Sequence, residues 1–440
     1  MALTVREPEQ LPLPLKQTIL IFSQVYVPDP AAVGQYMHEA AAELVRRGWR
    51  VRVLTSDRGY DDPSVRFPRR EVRDGVEIHR LPWCSFGKKS IPVRLLGQLS
   101  FLIQCIFRGL FMRDLAGLFI TTSPPMAAIA ALSIAMFRRT PIAYWVMDLN
   151  PDQVVVLGKL SERSPAVRAF NVLNRMILKR ANEVIVLDRF MAERVLRKRD
   201  IREKLHIMPP WPHQSHLEVI EHADNPFRRE HGLENKLVVM YSGNHTSSNP
   251  LSTVLQAALR LQHREELIFM FIGGGMGKKE VEQVIAQHKP RNIISLPYQP
   301  LDRIKYSLSA ADVHLVSVGE TVVGVVHPCK VYGAMAVQRP ILLLGPDPCH
   351  VSDIIDEHRI GWRIRHGDVD GAVATLEAIL ATPESERRAM GARAARLTQE
   401  QFSDAELKRR LCDVVEQAMR NSPRHATQSE TYRSAGVGQP

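Results

Sequence analysis

The chain has 440 residues, 45% of them hydrophobic and 6% aromatic, too long for one ordinary core, so two domains are the starting expectation. Its net charge of +11 is uneven: residues 1–212 carry 32 Lys+Arg against 20 Asp+Glu, and the remainder carries 26 against 27. Such a first half faces phosphates, nucleic acid or an anionic bilayer, whereas the second half needs no such partner. The five cysteines (Cys84, Cys105, Cys329, Cys349 and Cys412) show no C-x-x-C spacing, and none of the sixteen histidines sits in an H-E-x-x-H pattern. That argues against a disulfide framework or a metal site and fits a reducing cytoplasm. Residues 1–17 read as a polar, proline-containing tail with no secretory signal.

The first strand is Thr18 to Phe22. A loop with Pro28, Pro30 and Gly34 follows, then an amphipathic helix from Gln35 to Arg47, stopped by Gly48, and a strand from Val51 to Leu54. This unit opens a doubly wound α/β domain. Gly34, at the carboxyl end of the first strand, is a candidate acceptor-binding residue. There is no G-x-G-x-x-G, and Asp57 stands three residues late for a ribose, so bound NAD is poorly supported.

Val76 to Leu81 reads as a third strand, followed by a loop with Lys88 and Lys89. The apolar stretch Leu95 to Met112 is broken by Gln98, Gln104 and Arg108, short of a spanning helix. Flanked by Arg94, Arg108 and Arg113, its face of Leu99, Leu102, Ile103 and Ile106 suits a membrane surface, or a buried helix of the first domain. Strands follow at Leu118 to Thr122 and Ile142 to Val146, with a small-residue helix from Met126 to Phe137 between them. The second of these strands runs into Asp148-Leu149-Asn150-Pro151-Asp152. Carboxylates there point into the crevice. Asp148 is a candidate catalytic residue, as ligand or base for an acceptor hydroxyl, and Asp152 a candidate acceptor-binding residue; both also suit a helix cap. Arg168 to Ala181 is a basic helix, Glu183 to Leu187 a strand, and Val195 to Lys204 a charge run of the kind that covers a solvated face.

Pro209-Pro210-Trp211-Pro212 marks the clearest boundary, a stiff extended connector. The expected division is an 18–208 domain, a 209–216 hinge, a 217–403 domain, a 404–420 helix and a disordered 421–440 tail. After the hinge the α/β pattern restarts, with strands at Leu237 to Tyr241, Leu267 to Ile272, Ile293 to Leu296 and Val313 to Val316 and a helix at Leu301 to Ser309. The first strand ends in Ser242-Gly243-Asn244-His245 and the second in Gly273-Gly274-Gly275, small residues that let backbone amides approach phosphate oxygens. The run His327 to Leu344, HPCKVYGAMAVQRPILLL, reads as a loop, a helix stopped at Pro340, and a buried strand. It places Lys330 in a first helical turn, where an anion is favoured; a solvated surface lysine is the plain alternative.

Two α/β halves with a proline hinge and this site resemble the GT-B glycosyltransferases of family 4 (group 1), in the branch that makes bacterial exopolysaccharide and O-antigen. The resemblance rests on Pro328-Cys329-Lys330-Val331-Tyr332-Gly333 with Arg339-Pro340, on Tyr241 to Asn244, on the glycines at 273 to 275 and on the Asp-Leu-x-Pro-Asp of 148 to 152. It covers about residues 18 to 400. It implies a second domain that binds a nucleotide-diphosphate sugar through Gly243, Asn244, His245, Gly273, Gly274 and Lys330, with Lys330 also catalytic. The first domain would bind the acceptor, a lipid-linked or polysaccharide precursor, at the inner face of the cell membrane.

Three departures qualify the pattern. Family members often carry Glu where this chain has Val325 and Gly333, so Glu320 is the candidate to supply a donor contact. His245 and Asn249 stand where Arg and Lys are common, and Cys329 replaces Ser. No D-x-D is convincingly placed, so the expected reaction is a metal-independent, retaining sugar transfer with no cofactor and no nucleic-acid partner. A nucleotide-sugar epimerase and an inactive subunit of a membrane transferase complex are the alternatives.

Overall fold

The computed structural model describes residues 17–29, 32–59, 62–86, 91–212 and 218–420. Lys88, Lys89, Pro30, residues 213–216 of the hinge and the expected terminal tails at 1–16 and 421–440 lie outside these. Two compact units form. One takes the chain up to Val146, Leu173–Ile185 and the residues from Lys408; the other takes Met147–Val172 and Val186–Leu407. The expected single division at 209–216 thus becomes an interleaved one, with residues 147–172 and 186–208 grouped with the second sheet.

In the first unit, strands β1 (Thr18–Phe22), β2 (Arg50–Ser56), β3 (Arg70–Arg73), β4 (Val76–Leu81), β5 (Leu115–Thr121), β6 (Ile142–Trp145) and β7 (Glu183–Val186) lie in the order β3-β4-β2-β1-β5-β6-β7. All neighbours are parallel except β3, which pairs antiparallel with β4. β1 is central and buried at all five positions, as a continuous apolar run requires when both faces of a parallel sheet are covered. Helices α1 (Ala32–Arg46), α2 (Ile91–Phe111) and α3 (Ala127–Arg138) belong to this unit.

In the second unit come α4 (Asp152–Val156), then α5 (Pro165–Arg180) in the chain, α6 (Arg189–Lys198), the short β8 (Leu205–Ile207) and α7 (Pro226–Glu230). Strands β9 (Leu237–Ser242), β10 (Leu267–Ile272), β11 (Ile293–Leu296), β12 (Val313–Ser317), β13 (Ile341–Leu344) and β14 (Gly361–Ile364) form a wholly parallel sheet, β11-β10-β9-β12-β13-β14. Helices α8 (Ser252–Arg260), α9 (Lys278–His288), α10 (Ile304–Ser309), α11 (Lys330–Ala336), α12 (His350–His358), α13 (Val369–Ala381) and α14 (Glu384–Glu400) connect and follow the strands. Alternate strand residues feed two cores: Val239, Tyr241, Phe269 and Phe271 on one face, Val238, Met240 and Met270 on the other.

The last helix, α15 (Asp404–Arg420), is fastened to the first unit. Arg47 reaches Asp413 at 2.7 Å, and Trp49 Nε1 donates to Glu416 at 3.0 Å. Of the charge run Val195 to Lys204, the first four residues close α6, and Arg197, Arg199, Asp200, Arg202 and Glu203 are exposed while Val195 and Ile201 are buried.

In the second unit one buried guanidinium ties α7 to the sheet. Arg228 donates to the carbonyls of Ala310 (2.6 Å), Leu233 (2.6 Å) and Lys236 (2.7 Å) and meets Asp312 at 3.2 Å. Arg228→Ala would strip the Ala310 and Lys236 carbonyls of this donor and Asp312 of its guanidinium and is expected to cost about 3–5 kcal/mol, measured by chemical denaturation.

Candidate functional site

The second sheet reverses its winding at β9, whose neighbours β10 and β12 lead away in opposite directions. At such a point the connections diverge and leave a crevice outside the carboxyl ends of the strands. Gly243 follows β9 with φ +129°, and Gly273 follows β10 with φ +126°, conformations that favour glycine. Closeness fixes the residue type a second time. A Cβ on Gly273 would stand 2.1 Å from the Gly243 carbonyl oxygen, and one on Gly243 would stand 2.7 Å from Cε of Lys330. The space denied to a side chain at 243 is filled by the lysine stem.

Lys330 Nζ lies 5.0 Å from the centre of the Tyr241 ring, within cation–π range. Among the described residues its ammonium makes no ion pair and no hydrogen bond. Enclosure by protein lowers its pKa to about 8 because burial disfavours the charged form. Lys330 opens α11, a helix of seven residues that begins without a side-chain cap. The positive field here is that of the ammonium.

The neighbouring turns hold one another. His245 N–H donates to the Gly274 carbonyl at 2.7 Å, Tyr241 OH donates to the Asn244 carbonyl at 2.9 Å, and Asn249 Nδ2 donates to the Ser317 carbonyl at 2.7 Å. Asn244 is exposed with its side chain over Gly275, while Gly274 faces Tyr298. His245 is buried, and burial, together with the charges of Lys278 and Lys330, pushes its pKa down to about 4. It is neutral at physiological pH and brings no charge to an anion. Lys278 spends its ammonium on the carbonyls of Phe271 and Leu296, at 2.6 and 2.9 Å.

Asp148 reaches this region through the backbone. It bridges antiparallel to Val326, and Leu149 N–H donates to the Val325 carbonyl at 3.0 Å, beside the loop that carries Lys330. Asp148 is exposed at the surface, yet the protein packed around its carboxyl pushes its pKa up to about 6, against a downward pull from His327. Val325 is fully buried, so a carboxylate at that position would be desolvated.

A buried chain of side chains fixes the same loop. His327 Nδ1 meets Asp188 at 2.7 Å, His327 Nε2 meets Tyr332 OH at 2.7 Å, and Tyr332 OH meets His350 Nε2 at 2.8 Å. His350 is held neutral by burial, its pKa near 3, and at the other end of the chain the Asp188 carboxylate can only accept, so His327 Nδ1–H donates to it. Asp188 is held below the usual carboxylate range by the hydrogen bond and charge of His327, and it also caps α6.

Gly243, Asn244, His245, Gly273, Gly274 and Lys330 therefore come together, and Asp148 joins the Lys330 loop. Three candidates remain, two of them engaged by the fold and one without a polar contact among the described residues. Asp152 lies in the first turn of α4 and pairs with Lys198 at 2.6 Å, a local ion pair rather than a group free for an acceptor. Gly34 lies in the first turn of α1 rather than a loop. It is buried where a Cβ would stand 2.9 Å from the Tyr26 backbone, so packing accounts for the glycine. Glu320 is exposed on a single 3₁₀ turn and makes no hydrogen bond or ion pair among the described residues. Asp188, His327 and His350 were not singled out as site residues. Asp188 ends a strand as Asp148 does, and His327 precedes Pro328; His350 carries no local signal at all.

Comparison with known proteins follows this geometry. Residues 31–211 match the family described as glycosyl transferase 4-like domain, and residues 224–397 match glycosyl transferases group 1. The chain is 27% identical over 337 residues to the putative colanic acid biosynthesis glycosyl transferase WcaI of Escherichia coli K12, covering 72% of this chain and 81% of that one. Sucrose-phosphate synthase from Thermosynechococcus elongatus superposes with a TM-score of 0.73 at 15% identity, over 91% of this chain and 99% of that one. Anabaena HepE, solved in complex with UDP-glucose, gives 0.66 at 12% identity over 91% and 99%. At those identities the structures show a shared GT-B fold. The two matched regions cover most of the sequence, and the chain belongs to the group 1, family 4 type glycosyltransferases.

Proposed function

We propose that this enzyme moves a sugar from a nucleotide-diphosphate donor to an acceptor hydroxyl with retention of configuration, in the building of a cell-surface glycan. The observation that carries the donor assignment is the Lys330 ammonium, stacked on Tyr241 and resting on Gly243 at the sheet's switch point, with no ion pair among the described residues. A diphosphate supplies that anion. The relation to WcaI, named for colanic acid biosynthesis, supports a polysaccharide or lipid-linked precursor as acceptor, and HepE's complex with UDP-glucose supports a nucleotide sugar as donor.

Sugar transfer requires the leaving diphosphate to be stabilised as its bond to the sugar lengthens. Lys330 meets that charge from a site where the ammonium is poorly solvated and already fixed, the setting in which electrostatic stabilisation is largest. The reading needs no bound metal ion, and no group of three or more His, Cys, Asp or Glu suited to a metal comes together among the described residues. Asp148 receives the acceptor proton. A carboxylate with a pKa near 6 is ionised at neutral pH yet more basic than an ordinary aspartate, which suits proton acceptance.

Three measurements test this. Lys330→Met, which keeps the stem over Gly243, is expected to lower turnover about 10²–10³-fold. It should leave thermal stability equal or higher. Lys330 has a folded pKa of about 8 against an ordinary lysine's 10.5, so folding releases a proton between those values and the native state is penalised below them. Retained turnover in this variant, or a lowered melting temperature, contradicts the assignment.

The same pKa sets a pH dependence. The diphosphate binds the charged lysine, so affinity for a nucleoside diphosphate is expected to fall, by up to about tenfold per pH unit, as pH rises through 8. Calorimetry above about pH 7.5, where the phosphates are ionised, should show this slope in the wild type and not in Lys330→Met. Asp148→Asn should separate from both, lowering turnover about 10²–10⁴-fold while nucleoside-diphosphate affinity stays unchanged.

A further inference from the structure

We propose that α2 and the last turn of α3 form a lipid-docking face that seats the first unit in the plane of an anionic bilayer. Leu96, Leu99, Ile103, Phe107 and Phe111 follow one another at three- and four-residue spacing on one stripe of α2, and each is 53–70% exposed. Scattered exposed apolar residues are ordinary on a soluble surface, but a continuous stripe of large ones marks an interaction site. Met136 and Phe137 in the last turn of α3 are as exposed. Arg138 brings that turn beside the end of α2, donating to the carbonyls of Gly109, Leu110 and Met112.

Charge identifies the occupant. Arg94, Arg108, Arg113 and Arg139 are exposed around this apolar surface, and none forms an ion pair among the described residues. Between Ile78 and Met147 the sequence holds a single acid, Asp114. That carboxylate is engaged by Thr18 and Arg50. A stripe of Leu, Ile and Phe bordered by unpaired arginines and cleared of carboxylates complements acyl chains below anionic headgroups. A protein partner or a second copy would bring acids to these arginines, and among the described residues none of them is paired with one.

By length and composition α2 could cross a bilayer, but its other face is part of the folded unit. Phe101, Leu102 and Cys105 are buried, Gln104 donates to the Pro82 carbonyl at 2.8 Å, and Gly109 packs closely against Ile134. Spanning would strip these contacts, so the helix lies at the interface. Of the sequence-based face, Leu99 and Ile103 are exposed, whereas Leu102 belongs to the core and Ile106 is half-buried.

The proposal does not depend on the sugar-transfer reading, and its test needs no turnover. The full chain is floated with vesicles of phosphatidylcholine, with and without phosphatidylglycerol, at low and high salt, beside the double variant Ile103→Glu/Phe107→Glu. The wild type is expected to bind the anionic vesicles at least about tenfold more tightly than the neutral ones, less so as salt rises. The double variant should lose at least about tenfold in binding while keeping the wild-type melting temperature and its stabilisation by nucleoside diphosphates. As a second variant, Met136→Glu/Phe137→Glu should weaken binding in the same way. No binding by the wild type, equal binding by both folded variants, or a wild-type dimer in solution that the first variant dissociates would each overturn the proposal.

Discussion

A lysine ammonium held without a counter-charge is the constraint around which the second unit is arranged. Lys330 is kept in place by packing: its stem occupies the room that Gly243 vacates, and its charge faces the Tyr241 ring. Desolvation without an ion pair is unfavourable in the unliganded protein, as the lowered pKa records. The cost is tolerable because an arriving anion offsets it, so binding and protonation are coupled. The surrounding groups keep this field uncontaminated. His245 is neutral, Lys278 is consumed by backbone carbonyls, and among the described residues no carboxylate pairs with the ammonium.

Positioning of this cation is delegated to a second layer. The Asp188–His327–Tyr332–His350 chain is buried, and His327 stands three residues before Lys330. Asp148 is presented to the same loop by its backbone bridge to Val326. Backbone pairing therefore brings together an acid and a cation that lie far apart in sequence, and it also groups residues 147–172 with the second unit rather than the first.

Much of this was legible in the sequence, for identifiable reasons. β1, β10 and β13 fall at the bounds that their apolar runs suggest, because buried parallel strands leave continuous hydrophobic signatures, and β4 and β11 fall at the expected bounds too though β4 alternates and β11 is half-buried. Gly243, Gly273 and Lys330 were readable because backbone approach demands small residues at fixed places. β3 was not, since its sequence REVR is a charged, half-exposed edge strand set by pairing with β4. The pairing of Asp152 with Lys198 was not legible, because a strand-end carboxylate looks the same whether it faces a ligand or a lysine. His350 was invisible: its role depends on a hydroxyl eighteen residues away. α2 showed its amphipathic period but not which side faced the core, since apolar residues lie on both.

The most direct test of the central claim is the titration of Lys330 itself, followed by NMR of a carbon-labelled lysine side chain in the wild-type enzyme with and without a nucleoside diphosphate. The account predicts a pKa near 8 in the free enzyme that rises by about one unit or more when the diphosphate binds, each unit being about 1.4 kcal/mol of coupling. A lysine that titrates at its ordinary value in the free enzyme, or one whose titration ignores the diphosphate, would contradict it.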